Sequence, residues 1–252
     1  MHLRALAPLR RPGVLAALCA ALLLAFFVAP NALARDAVNT GNVSPVFRRG
    51  FAAYWDAGDG DLPAGLRGTV DFWFRFHVVK AGVSALLLAV AVALGVVLWR
   101  RLRAREGRRA PLALSATGTG ALGLFALVAL MANVQGAAAP FSSLLPMLGA
   151  GDATLAQVGD RLAADPGGAH SPVLAAMIGD FATYHAVLAV AASLVVLAAA
   201  TATVLLWRRR APRLVPVATA VLTLAALVLA FANTTSALDS PHALAAFASG
   251  SW

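Results

Sequence analysis

Residues 78–99 read VVKAGVSALLLAVAVALGVVLW, an apolar run broken by a single charge, Lys80. At 1.5 Å per residue, about 20 residues cross a hydrocarbon core, so this block is long enough to span one. Backbone N–H and C=O groups in lipid must bond within the segment, which makes it a helix rather than a strand. Three further blocks repeat the pattern: Leu112–Ala132, Ala186–Trp207 and Leu214–Ala232. Pro216 falls in the first turn of the last, where a missing N–H does little harm. The expected fold is all-α: a transmembrane helical bundle of four spans, preceded by a signal peptide or a fifth helix.

Composition agrees. Hydrophobic residues make up 60% of the 252 residues and charged residues only 12%, and mean hydropathy is +0.79. A soluble globule covers itself with about 25% charged residues. The net charge of +9 does not indicate nucleic acid, because the basic residues flank apolar blocks and no polar domain is large enough to present a basic face with stacking aromatics. No nucleic-acid partner is expected; the bilayer is. The single cysteine, Cys19, lies inside the first apolar run, so no intrachain disulfide staples the loops.

Charge orients the spans. Arg4, Arg10 and Arg11, then Arg100, Arg101, Arg103, Arg105, Arg108 and Arg109, then Arg208, Arg209, Arg210 and Arg213 fall on one side with one acid, Glu106. All ten aspartates fall on the other. Positive charge near short loops marks the cytoplasmic face, so the short basic loops are expected inside, and the long loops and C-terminus outside, a plasma membrane. Residues 1–34 have an export-type form: a basic start, the apolar run Val14–Val28, and Pro30 ahead of Ala32-Leu33-Ala34. They read as a signal peptide cleaved after Ala34 or as an uncleaved anchor.

The extracytoplasmic segments, 35–70, 134–179 and 234–252, are too long for simple turns. Val46, Phe47, Phe51, Tyr54 and Trp55 approximate a helical stripe, and Asp152 to Ala164 forms a second candidate, ended by Asp165-Pro166-Gly167-Gly168. Ser-Pro pairs at Ser44-Pro45, Ser171-Pro172 and Ser240-Pro241 are favoured helix starts, since serine caps and proline needs no partner there. Short amphipathic helices are expected, lying on the outer membrane surface or capping the bundle.

Residues 71–133 and 180–233 read alike. Asp71-Phe72, Phe76-His77 and Leu98-Trp99-Arg100-Arg101 match Asp180-Phe181, Tyr184-His185 and Leu206-Trp207-Arg208-Arg209. Ala-Pro follows each basic loop, and each second helix ends in Ala-Asn, at Asn133 and Asn233. The implied architecture is a tandem two-helix repeat about an axis along the membrane normal. Small residues every four positions (Ala81, Ala85, Ala89 and Ala93; Ala189 and Ser193; Ser115, Thr119 and Gly123) suggest the faces where helices meet.

The one polar constellation is His77, His185, Asn133 and Asn233, at the outer ends of the spans. Two histidines on facing helices are a candidate cofactor-binding pair for haem or a metal, with Asp71 or Asp180 to orient the imidazoles. The bland alternative is hydrogen bonding at the membrane interface. Lys80 is one turn inside its span and is expected to snorkel to the headgroups. Asp56, Asp59 and Asp61 do not match a calcium loop. No phosphate loop, His-Glu-x-x-His or serine elbow occurs. Mid-span residues are nearly all Ala, Leu and Val, against a transporter.

The stretches FRFHVVKAGVSALLLAV, ALMANVQGAAAPFSSLLPML and DFATYHAVLAV, with the arginine-rich loops, look like uncharacterised multi-pass membrane proteins of GC-rich actinobacteria with an export-type N-terminus. The resemblance implies a plasma-membrane location and no activity. The functional expectation is a non-enzymatic scaffold or accessory subunit contacting other membrane or extracytoplasmic proteins. A haem- or metal-binding protein is the alternative, and a small transporter the third reading.

Overall fold

The computed structural model describes residues 12–104, 109–149, 151–165 and 167–251. Arg4, Arg10, Arg11, Arg105, Glu106, Arg108 and Pro166 lie outside the described residues. The elements run α1 (Pro12–Ala34), α2 (Val43–Ala57), α3 (Ala64–Arg103), α4 (Arg109–Ala138), α5 (Pro140–Leu144) with a 3₁₀ turn at Leu145–Met147, α6 (Ala153–Ala164), α7 (Pro172–Arg208), α8 (Leu214–Leu238) and α9 (Ser240–Ser249). Among the described residues there is no strand. Among the described residues five helices, α1, α3, α4, α7 and α8, are long and apolar enough to cross a membrane.

The long helices outrun the apolar blocks. The 40 residues of α3 reach about 60 Å at 1.5 Å each, twice a hydrocarbon core. Both α3 and α7 begin well before Asp71 and Asp180, so the two aspartates sit within helices rather than at their starts. Ser171 stands at the N-cap position of α7 with Pro172 in its first turn, though its side chain makes no capping hydrogen bond. At the other Ser-Pro sites the helix starts earlier: Asn42, two residues before Ser44, is the N-cap of α2, and Asp239, one residue before Ser240, is that of α9.

The chain divides into two compact units, Met1–Asp36 with Arg75–Val134, and Ala37–Phe74 with Gln135–Trp252. In the first, α3 and α4 form an antiparallel hairpin on which α1 packs. Its core is Leu15 and Cys19 of α1, Leu87, Ala91, Leu94 and Leu98 of α3, and Ala126 of α4. On α4 Thr119 and Gly123 do face α3, but on α3 the small-residue expectation fails: Ala85, Ala89 and Ala93 are exposed, while Ser84, Leu87, Ala91, Leu94 and Leu98 are buried. Steps of four residues advance 400° around a helix and drift 40° each time, so an i+4 row winds off a straight interface. Alternating steps of three and four stay on it, which is the seam of paired helices. Ser193 is likewise exposed, and Ala192 takes its place.

Lys80 turns inward along this seam. Its Nζ lies 4.2 Å from the Phe26 ring centroid and 5.3 Å from that of Phe76. A cation over an aromatic face gains about 0.5–2 kcal/mol, more when desolvated. Phe26 in turn meets Phe125 edge-on at 5.4 Å. Lys80 thus bridges α3 and α1 through the Phe26 ring.

The second unit contains the α7–α8 hairpin and the short helices. Of the stripe read from sequence on α2, Phe47, Phe51, Tyr54 and Trp55 are buried, Val46 is half-buried, and Val43 joins the buried face. Phe141 of α5 packs among the first three, with ring centroids 5.7–6.1 Å apart. Trp55 Nε1 donates to Gln157 Oε1 at 3.0 Å, joining α2 to α6. Asp152 caps α6 by accepting from Thr154 N and Leu155 N. Gly159 lets α6 approach α9, since a Cβ there would stand 3.1 Å from Ala248 Cβ.

Candidate functional site

The buried seam of α3 leads back from Leu98 through Leu87 and Ser84 to His77, and that of α4 runs from Thr119 through Ala126 to Asn133. An antiparallel hairpin brings the two ends together. His77 Nδ1 and Asn133 Oδ1 are 2.9 Å apart, and Asn133 Nδ2 donates to Ala129 O, one turn back, at 2.6 Å. The second hairpin repeats this. His185 Nδ1 meets Asn233 Oδ1 at 2.8 Å, and Asn233 Nδ2 donates to Leu229 O at 2.8 Å.

The geometry settles the protons. A backbone carbonyl only accepts, so each asparagine must aim its NH₂ at that carbonyl and its Oδ1 at the histidine. Each Nδ1 therefore donates, and when the ring is neutral the lone pair resides on Nε2. Asn133, Asn233 and His185 are buried, where a polar group without a partner costs about 1–3 kcal/mol. Interhelical bonds of this kind contribute about 0.6–2 kcal/mol in membrane bundles.

The register matches well beyond the polar pair. Gly95 and Thr203 each stand 18 residues after their histidine, and Thr119 and Thr219 each stand 14 before their asparagine. In the first hairpin Gly95 faces Thr119, whose Cγ2 is 3.8 Å from where a Cβ would be. In the second, Thr203 Oγ1 donates to Thr219 Oγ1 at 2.8 Å, which donates on to Pro216 O at 3.0 Å. The two hairpins therefore cross the same positions against each other.

The carboxylates take no part in orienting the rings. Asp71 precedes His77 by six residues and Asp180 precedes His185 by five, and one residue turns a helix by 100°. Asp71 is exposed. Asp180 instead accepts from Ser142 N of α5 at 2.7 Å. The position equivalent in register, four residues before each histidine, is aromatic in both copies. Phe181 packs against His185 with ring centroids 4.6 Å apart and the planes tilted by 58°, while Trp73 Nε1 donates to Ser143 Oγ at 2.7 Å. Sequence reasoning passed over Gln135, which is buried and donates to Tyr184 O at 3.1 Å. A lone carboxamide two residues past Asn133, at the end of an apolar helix, was the available signal.

The four-residue set is thus two separate pairs, one in each unit. Each fixes a tautomer suited to accepting a hydrogen bond or donating a lone pair through Nε2. Among the described residues, no group of three or more His, Cys, Asp or Glu converges as metal ligands do. No family model, curated protein or solved structure matches the chain.

Proposed function

We propose that this chain is a non-enzymatic plasma-membrane protein, a scaffold or accessory subunit that presents its short helices outside the cell. The observation that carries the reading is the matched pair of histidine–asparagine bonds. Side chains that would otherwise be candidates for chemistry serve to fasten helix to helix. The interlocked set α2, α5, α6 and α9, with its aromatic core of Phe47, Phe51, Tyr54 and Phe141, supplies a rigid surface for a partner. The equal register of the two hairpins supports tandem duplication, and the basic turns support a cytoplasmic face for them.

A photoreactive residue at Ala156, exposed on α6, tests this in intact cells. The expected result is a discrete protein adduct there, and none at Leu194, an exposed position on α7. Equal labelling at both positions, or none at Ala156, contradicts a partner-binding role.

A second reading, a haem or metal protein, draws on the tautomer. A histidine whose Nδ1–H is held by an oxygen acceptor is set to ligate through Nε2. A bis-imidazole centre needs His77 and His185 on one ion, with ring nitrogens about 4 Å apart across it, from metal–nitrogen bonds of about 2 Å. Such a preparation would be coloured, and His77→Ala or His185→Ala would bleach it. A colourless, metal-free protein removes this reading.

A further inference from the structure

We propose that the turn between α7 and α8 binds the phosphate of an anionic lipid headgroup, held by Arg210 and Arg213 against Trp207. A cavity of about 370 Å³ opens there, lined by Trp207, Arg210, Ala211, Arg213 and Pro216, a size within the range of small-ligand sites. Two arginines lining one cavity suit a phosphate, whose oxygens a guanidinium grips in pairs. The remaining walls, Trp207, Ala211 and Pro216, are apolar. They fit a phosphate that carries hydrocarbon, and the turn joins the ends of two apolar helices.

The backbone is shaped for this at a cost. Arg210 N donates to Trp207 O and Ala211 N to Leu206 O, both at 3.0 Å. That pair of bonds closes α7 with Arg210 in the left-handed position that glycine normally occupies. Its φ is 51°, and among the described residues no other non-glycine residue has a positive φ. Holding an L side chain there is unfavourable, and residues kept in such conformations cluster at ligand clamps and other functional sites. Glycine would relax the turn but remove a cation from the cavity.

The other basic turn differs where it matters. In α3 the Arg103 guanidinium lies 5.6 Å over the Trp99 ring and covers it. The position four residues after Trp207 is Ala211, so the Trp207 ring stays open to the cavity. The segment WRRRAPRLVP holds no acid, and α8 starts with neither an acidic first turn nor a side-chain cap. Among the described residues no carboxylate forms an ion pair with the arginines of this turn, and an anionic bilayer surface supplies a counter-ion.

The test uses the delipidated full-length chain in a neutral detergent. Phosphatidylglycerol, phosphatidylcholine and inorganic phosphate are titrated separately, and bound lipid is counted by native mass spectrometry. The account expects about ten-fold preference for phosphatidylglycerol over phosphatidylcholine, in line with several basic contacts to an anionic headgroup. Arg210→Gly with Arg213→Gln should abolish the preference, and Arg213→Gln alone should weaken it. Arg100→Gln with Arg101→Gln, in the other turn, should leave it intact. Arg210→Gly alone should melt no lower than the parent, because glycine relieves the strain. Preference that survives the double substitution overturns the proposal. So does equal loss in the other turn, which would mean diffuse charge, or displacement of the lipid by millimolar phosphate, which would mean a free-anion site.

Discussion

At the scale of the residue, an imidazole bonded to a carboxamide carries no net charge to desolvate, which suits an apolar bundle better than an imidazole–carboxylate pair. His185→Ala leaves Asn233 Oδ1 without its donor, and a loss of about 1–2 kcal/mol is expected. Asn233→Ala should cost a similar amount, and the double variant less than the sum, by about 0.5–2 kcal/mol. Unfolding in mixed micelles measures this cycle, and strict additivity would mean the pair does not interact. Tyr54 gives a different prediction. Burial first, then the nearby charges of Asp59, Asp180 and Asp61, push its phenol above the usual value, and its hydroxyl donates to Gly60 O at 3.2 Å. The folded state favours the neutral form, so this contribution is fully present below the unfolded pKa of about 10 and is lost as pH rises through the raised value. Tyr54→Phe should flatten the alkaline fall in stability, and an unchanged alkaline limb would contradict the assignment.

At the scale of the element, the short helices stand or fall on a few buried contacts. Phe141→Ala empties the aromatic cluster beneath α2 and should cost about 3–5 kcal/mol. Protease sensitivity appearing first within α2 checks it. Gly159→Leu would force α6 from α9, because even a Cβ there is tight against Ala248. The amphipathic stripe of α2 and the span of α6 were legible in sequence because burial on a surface helix leaves a periodic trace. The seams of the long helices were not, because an alanine-rich span looks the same on every face. Only the contacts distinguish the exposed Ala85, Ala89 and Ala93 from the buried Ser84, Ala91 and Leu94. The inequivalence of Asp71 and Asp180 was visible in the letters as a one-residue difference, but its meaning needed the helix to be continuous through both.

At the scale of the whole molecule, the five apolar helices were legible from length and composition alone, since lipid forces that signature on any span. The bonding of each histidine was not, because it depends on antiparallel register, which no local pattern encodes. The orientation proposal predicts that a cysteine at Gly168, but not one at Ala104, reacts with an impermeant thiol reagent on intact cells. The reverse labelling would turn the protein over. The claim on which most else rests is that both hairpins share one register, and disulfide formation reads it directly. With Cys19 replaced by serine, cysteine pairs are placed at Gly95 and Thr119 and, separately, at Thr203 and Thr219, where side chains meet closely enough to bridge. The account predicts that both pairs oxidise within the chain, while pairs shifted by one turn, Ala91 with Thr119 and Ala199 with Thr219, stay reduced. Bridging in only one hairpin, or faster bridging of a shifted pair, would contradict it.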